Sequence, residues 1–261
     1  MSWAAERRAI YLTGILVFFA VVIGGPLAYK ILTIAPTCHD GIQNHGETAI
    51  DRGGPCLLLN EADLLPYSVI WARAFAVRDG SYTAVAYIEN PNKEAGVEEA
   101  DYTFRLYDDQ QIILAQRQGK TYIMPGGVTP IFETHLDTGQ RTVVHTTFEF
   151  TNKPFVWEKM HPATDQVSVS SMLMSNTDSV PLLKAVVTNN SAIDSPDLSF
   201  VAVVFDTVGN AMNASATQVP AISGYAHKDI SFSWPVPFAL VVGSTDILPL
   251  AEPIIDAVAE R

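Results

Sequence analysis

From Tyr102 to Leu106 the side chains alternate with the two-residue period of a half-buried strand. Tyr102, Phe104 and Leu106 fall on one side, while Thr103, Arg105 and Tyr107 fall on the other. Asp108-Asp109 marks a turn. Ile112 to Ala115 is a short apolar run, Gln116 to Lys120 a polar one closing on Gly119, and Pro125-Gly126-Gly127 punctuates before Ile131 to Leu136. Upstream, Tyr67, Val69, Trp71, Phe75 and Val77 share a face interrupted by Arg73. Asp79-Gly80 predicts a hairpin turn, Tyr82 to Glu89 the returning strand, and Asn90-Pro91-Asn92 its end. Downstream, Val144, Thr146, Phe148 and Phe150 form another strand before residues 152–162, where two prolines break the pattern. About seven strands at such short intervals make a β-sandwich. Leu57 to Leu65 reads as a short helix or a linker strand.

The pattern then repeats. Leu182, Lys184, Val186 and Thr188 alternate, Asn189-Asn190-Ser191 makes a turn, 198–206 is strongly apolar, and Ile230, Phe232 and Trp234 alternate with Ser231 and Ser233. Asn90 falls on Asn189 and Asp108 on Asp206, a shift of 98 to 99 residues. The expectation is two tandem antiparallel sandwiches, residues 67–160 and 161–261. An aromatic followed by Asp ends a strand in both, Tyr107-Asp108 and Phe205-Asp206. A local reason suffices: the ring packs at the sheet edge and the carboxylate accepts N–H bonds from the turn.

Ahead of the sandwiches lies a different pattern. Ala9 to Tyr29 are 21 residues without a charge, and as a helix at about 1.5 Å per residue they reach roughly 30 Å, the thickness of a bilayer core. Arg7 and Arg8 precede the run, Lys30 follows it, and Tyr11 and Tyr29 sit near its ends as interfacial aromatics do. This predicts a cytoplasmic N-terminus (1–8), a transmembrane anchor in contact with membrane lipid (9–34), a linker (35–66) and an exported remainder. A cleaved signal peptide shares the basic start and apolar run, although its apolar region is ordinarily shorter. Gly24-Gly25-Pro26 would weaken or bend the helix near its outer end.

The formal charge is -12, from 16 basic and 28 acidic residues. Setting aside Arg7, Arg8, Lys30 and Glu6 leaves 13 basic and 27 acidic. Such a body repels phosphate backbones, so nucleic acid is not an expected partner.

Residues 38–56 read CHDGIQNHGETAIDRGGPC, bracketed by the chain's two cysteines. Outside the cytoplasm a lone pair with no competitor is expected to oxidise, and closing the loop removes about 3 kcal/mol of unfolded-chain entropy. Asp40, Asn44, Glu47 and Asp51 supply oxygens at intervals of four, three and four residues. A calcium ion is one reading, although the spacing is not that of an EF-hand loop; capping of turns is the other. His39 and His45 flank these acids, but two histidines without a free thiolate make a poor zinc set.

Two resemblances accompany these patterns. Phe104-Arg105-Leu106-Tyr107-Asp108 resembles the F-x-L-Y-D signature of a group of bacterial immunoglobulin-like domains, and the likeness continues through Ile131-Phe132-Glu133. It implies a small extracytoplasmic Ig-like sandwich with no established activity, in which Phe104, Leu106, Tyr107 and Asp108 are structural. Residues 38–56 resemble a short module of exported proteins, C-x-D-G-x-x-N-x-x-E-T-x-x-D-C-G-G-x-C. The match is Cys38, Asp40, Gly41, Asn44, Glu47, Thr48, Asp51, Gly53, Gly54 and Cys56. Arg52 stands where the module has a further cysteine, which leaves Cys38 and Cys56 to pair.

No GxSxG, HExxH, CxxC or phosphate loop occurs. His135 and His145 are placed to approach each other across neighbouring strands, the one constellation with catalytic or metal-binding potential; otherwise both are surface residues. Trp71, Trp157 and Trp234 read as core or inter-sheet residues. The expectation is therefore a mainly β, non-enzymatic single-pass membrane protein. It needs no cofactor and displays two Ig-like domains outside the cytoplasmic membrane to bind or scaffold a protein partner. An accessory subunit of a membrane enzyme or of a secretion or pilus complex is the alternative.

Overall fold

The computed structural model describes residues 3–33, 38–44 and 46–256. Helix α1 (Trp3–Thr33) continues through Gly24-Gly25-Pro26. Its stretch Arg7–Tyr29 is long and apolar enough to cross a membrane and is buried nowhere. Residues 56–256 lie in a separate compact unit whose strands all pair antiparallel, with a short 3-10 turn at Glu61–Asp63 ahead of them.

In the first sandwich, β1 (Ser68–Arg78), β2 (Ser81–Asn90) and β5 (Gly127–Asp137) form one sheet with β2 central. The facing sheet is built on β3 (Ala95–Tyr107), which pairs with β4 (Ile113–Ile123) on one side and with β6 (His145–Phe150) and β7 (Glu158–His161) on the other. Ala84, Ala86 and Ile88 of β2 meet Tyr102, Phe104 and Leu106 of β3 in one core. Gly119 does not close a strand, as its position after a polar run suggested. It lies inside β4 opposite Tyr102, whose ring occupies the space a Cβ would need. The proline-broken stretch 152–162 still yields β7, because Leu57 and Leu59 pair with it: Leu59 N–H donates to Trp157 O at 2.8 Å and Lys159 N–H to Leu57 O at 2.9 Å. This part of the linker is thus built into the sheet. So is the C-terminal stretch, since Ile254–Ile255 pairs with β7 of the first sandwich although 161–261 reads as the second.

The second sandwich sets β8 (Val167–Ser175), β9 (Leu182–Asn189) and β12 (His227–Ser233) against β10 (Leu198–Asp206), flanked by β11 (Ala211–Val219) and β13 (Val242–Leu250). Leu183, Ala185 and Val187 pack on Leu198, Phe200, Ala202 and Val204, closed by Phe232 and Trp234. The two halves repeat at the level of single bonds. Asn90 Nδ2 donates to Ala95 O (2.7 Å) and Met124 O (2.8 Å), and its Oδ1 accepts from Asn92 N–H (3.0 Å). Asn189 Nδ2 donates to Ile193 O (2.7 Å) and Ile222 O (2.9 Å), and its Oδ1 accepts from Ser191 N–H (3.0 Å). Each buried amide pins a strand end to two loops.

The sandwiches stack through one face each. Phe75, Val85 and Tyr87 from the β1-β2-β5 sheet pack on Val201, Val203 and Ala214 from the β11-β10-β13 sheet. Trp71 lies 4.3 Å from the Tyr87 ring and 6.5 Å from Phe205, centroid to centroid. Four sheets therefore lie in layers, and the central strands of the two inner ones, β2 and β10, are buried on both sides. The repeat makes the reason visible. Val85 corresponds to Lys184 in β9, and Val201, Val203 and Phe205 correspond to Thr103, Arg105 and Tyr107 in β3. The covered faces carry valines at the two places where the free faces carry the charged Lys184 and Arg105.

Val203→Asp would set a second carboxylate against Asp246, its partner across β13, inside this seam and should cost about 3–5 kcal/mol in the urea-unfolding free energy, whereas Arg105→Val at the equivalent free face should leave it nearly unchanged. Asn189→Ala strands two carbonyls and should cost about 3 kcal/mol in the same measurement.

Candidate functional site

Cys38 and Cys56 are joined in a disulfide, so neither offers a thiolate to a metal. Within the loop, Asp51 adopts φ 54°, and its carboxylate accepts the N–H groups of Asp40 (3.1 Å) and Gly41 (3.0 Å to one oxygen, 3.2 Å to the other). Asp40 accepts from Ile42 N–H at 2.8 Å and from Asn44 Nδ2 at 3.0 Å. Glu47 accepts from Asn44 N–H at 3.1 Å. Asp40, Asn44 and Asp51 are thus brought together, with Glu47 bonded to the Asn44 backbone. Their oxygens face N–H donors, which is turn-capping geometry; a cation would have to compete with those donors. His45 lies outside the described residues.

The Phe104-to-Asp108 segment is equally structural in its contacts. Phe104 and Leu106 are fully buried, while Tyr107 lies beside the His145 ring at 5.8 Å. Asp108 Oδ1 accepts from Gln110 N–H (2.9 Å) and Ile112 N–H (2.8 Å), and Oδ2 pairs with Arg141. Asp206 repeats this, accepting from Val208 N–H (2.9 Å) and Asn210 N–H (2.8 Å), with Asn210 Nδ2 at 3.1 Å in place of the arginine. Burial pushes the Asp108 pKa up, but the two N–H bonds and Arg141 outweigh it and hold the group below its ordinary value. For Asp206 the bonds from Asn210 dominate and act in the same direction.

The expected approach of His135 and His145 does not occur across neighbouring strands. β5 pairs in the sheet of β1 and β2, whereas β6 pairs with β3 in the opposite sheet. Successive strands cross between sheets, so nearness in sequence does not make them neighbours. Trp157 and Trp234 are core residues, and Trp71 fills the seam between the sandwiches.

The seam opens at one end into a cleft of about 450 Å³. On one wall lie Arg78 and Ser81, paired across the turn of the β1–β2 hairpin, with Phe132 and His135 of β5. Asn213, Ala214, Ser215 and Ala216 of β11 form the other, with Trp234 beyond β12. The opening has a steric cause: β11 presents Ala, Ser and Ala here, where Trp71, Tyr87 and Phe205 fill the rest of the seam. His135 sits at φ 57°, at a register shift where β5 has an extra residue opposite Thr83. Such a bulge redirects side chains. The Thr83 hydroxyl and the Trp234 indole N–H are buried without a hydrogen-bond partner. Among the described residues, the Arg78 guanidinium makes no hydrogen bond or ion pair, and no carboxylate lines the cleft; Asp79 borders an adjoining recess. Sequence reading alone did not assemble this set, because its members lie on two sandwiches, with the two walls at least 78 positions apart along the chain, from His135 to Asn213. The signal available was the run of small residues at 214–216 in a strand facing apolar partners.

No protein-family profile matches the chain, and no curated protein matches it in sequence. Distant similarity to solved structures exists. A red sea bream transglutaminase shares 8% identity over 70% of this chain and 31% of its own, with TM-score 0.23. A β-glucuronidase of glycoside hydrolase family 2 shares 12% over 84% and 29%, with TM-score 0.23. The N-terminal CBM22-1-CBM22-2 tandem domain of Xyn10C from Paenibacillus barcinonensis shares 8% over 75% and 88%, with TM-score 0.16. The chain spans less than a third of the first two proteins. Likeness at this level assigns no activity.

The two lowered aspartate pKa values have a signed consequence. A carboxyl that is more acidic folded than unfolded stabilises the fold above its unfolded pKa of about 3.9, and that stability is lost as pH falls through the folded value. The advantage of the wild-type urea midpoint over that of Asp206→Asn should therefore shrink as pH falls from about 6 through the acid range.

Proposed function

We propose that this chain is a single-pass membrane protein that holds two Ig-like sandwiches outside the cytoplasmic membrane as a non-enzymatic binding or scaffolding body. The observation that carries the reading is α1. Its apolar residues face outward on every side, from Leu16 at 70% exposure to Val22 at 51%. A helix apolar all round belongs in a protein core or in lipid, and no protein core surrounds this one. Arg7 and Arg8 at its start favour a cytoplasmic N-terminus by the excess of positive charge retained inside. The disulfide fits an oxidising compartment on the other side. The F-x-L-Y-D resemblance and the cysteine-bracketed module support an exported bacterial body, whose partner is a protein held at the envelope.

The full chain, expressed in a bacterial inner membrane, should resist alkaline carbonate extraction. External protease added to spheroplasts should digest the body and leave a fragment containing α1, and the undigested chain should migrate faster without reductant. A body cleaved only in inverted vesicles would reverse the orientation; release by carbonate with the first residues missing would replace the anchor with a signal peptide.

A further inference from the structure

We propose that the cleft between the sandwiches is a binding site for a small carboxylate carried on a compact apolar body. This goes beyond the binding of a protein partner and does not depend on the membrane reading. The cleft's volume, about 450 Å³, lies within the range of small-molecule sites, and it sits between two domains, where such sites concentrate. Protein interiors are ordinarily filled to crystal-like density. An opening left by Ala214, Ser215 and Ala216 in an otherwise aromatic seam therefore leaves room for an occupant.

The lining chemistry selects the occupant. The body of this protein carries 27 carboxylates against 13 basic residues, so an arginine has abundant potential partners. Arg78 nevertheless takes none among the described residues, and the cleft it borders contains no acid. A guanidinium presents paired N–H donors that match a carboxylate oxygen for oxygen. The hydroxyls of Ser81 and Ser233 line the same cleft as further donors, while Val77, Phe132 and Ala216 provide the apolar surface that an aromatic or branched aliphatic body requires. The wall that carries these groups is not an ordinary strand. His135 is held at a left-handed backbone conformation, uncommon for a residue other than glycine, and next to it the Thr83 hydroxyl is buried unsatisfied. Strain of this kind is retained where the surroundings impose it, and it clusters at ligand sites.

The test uses the full chain in lipid nanodiscs, with benzoate as probe and benzamide as its uncharged isostere, followed by ligand-observed NMR titration. Benzoate should bind saturably in the millimolar range or below and at least about tenfold more tightly than benzamide, the ratio expected of one charge-assisted contact. Arg78→Gln, at an exposed position, should weaken benzoate about tenfold and leave the melting temperature unchanged, while Lys184→Gln on the far sheet should change neither. Equal binding of benzoate and benzamide, retained affinity in Arg78→Gln, or no saturable binding in the millimolar range would each overturn the assignment.

Discussion

Face-to-face burial of the two inner sheets is the constraint to which the rest of the β body answers. A sandwich by itself buries one side of each sheet and leaves alternating strands. Here the seam buries the second side of β2 and β10 as well. Each valine or phenylalanine moved from water into that seam contributes about 1.5–3 kcal/mol, whereas a lysine or arginine left there unpaired costs several. Residue choice at a handful of outward positions therefore decides which faces meet. Val85 and Val203 permit the contact; Lys184 and Arg105, at the matching places, keep the outer faces in water, where Arg105 pairs with Glu149. The contact joins unlike faces of the two copies, so an extended stack of further bodies would have to bury those charges.

Inside each sandwich the repeat survives as polar pegs rather than as sequence identity. Asn90 and Asn189 tie a strand end to two loops, and Asp108 and Asp206 fold the turn after the next strand. Apolar positions can exchange among residues of similar volume at small cost. A buried amide that satisfies two carbonyls has no substitute of the same geometry, which explains why these four positions stand out against a background of low internal identity.

The same seam also brings polar groups from the two sandwiches onto shared space. Arg78 and His135 come from the first sandwich, and Asn213 and Ser215 from the second. The other described histidines are spread over exposed positions or, as with His161 beside Asp256 at 2.8 Å, pair at the surface. The acidic loop closed by the disulfide consumes its carboxylates in shaping its own turns.

Composition and periodicity alone determined the apolar helix, the predominance of antiparallel strands and the recurrence of the Asn and Asp positions, because each is a local matter of period, charge or turn chemistry. The disulfide was equally legible, since two cysteines allow one intrachain bond. The strand that includes Gly119, the pairing of Leu57 and Leu59 with β7 and the return of Ile254 and Ile255 to the first sandwich were decided by tertiary structure. In each case the partner lies far along the chain, and a short or glycine-containing strand forms only when a neighbour supplies its hydrogen bonds. The separation of His135 from His145 and the opening of the cleft have the same origin: sheet membership and the stacking of faces depend on long-range packing that no local window of sequence contains.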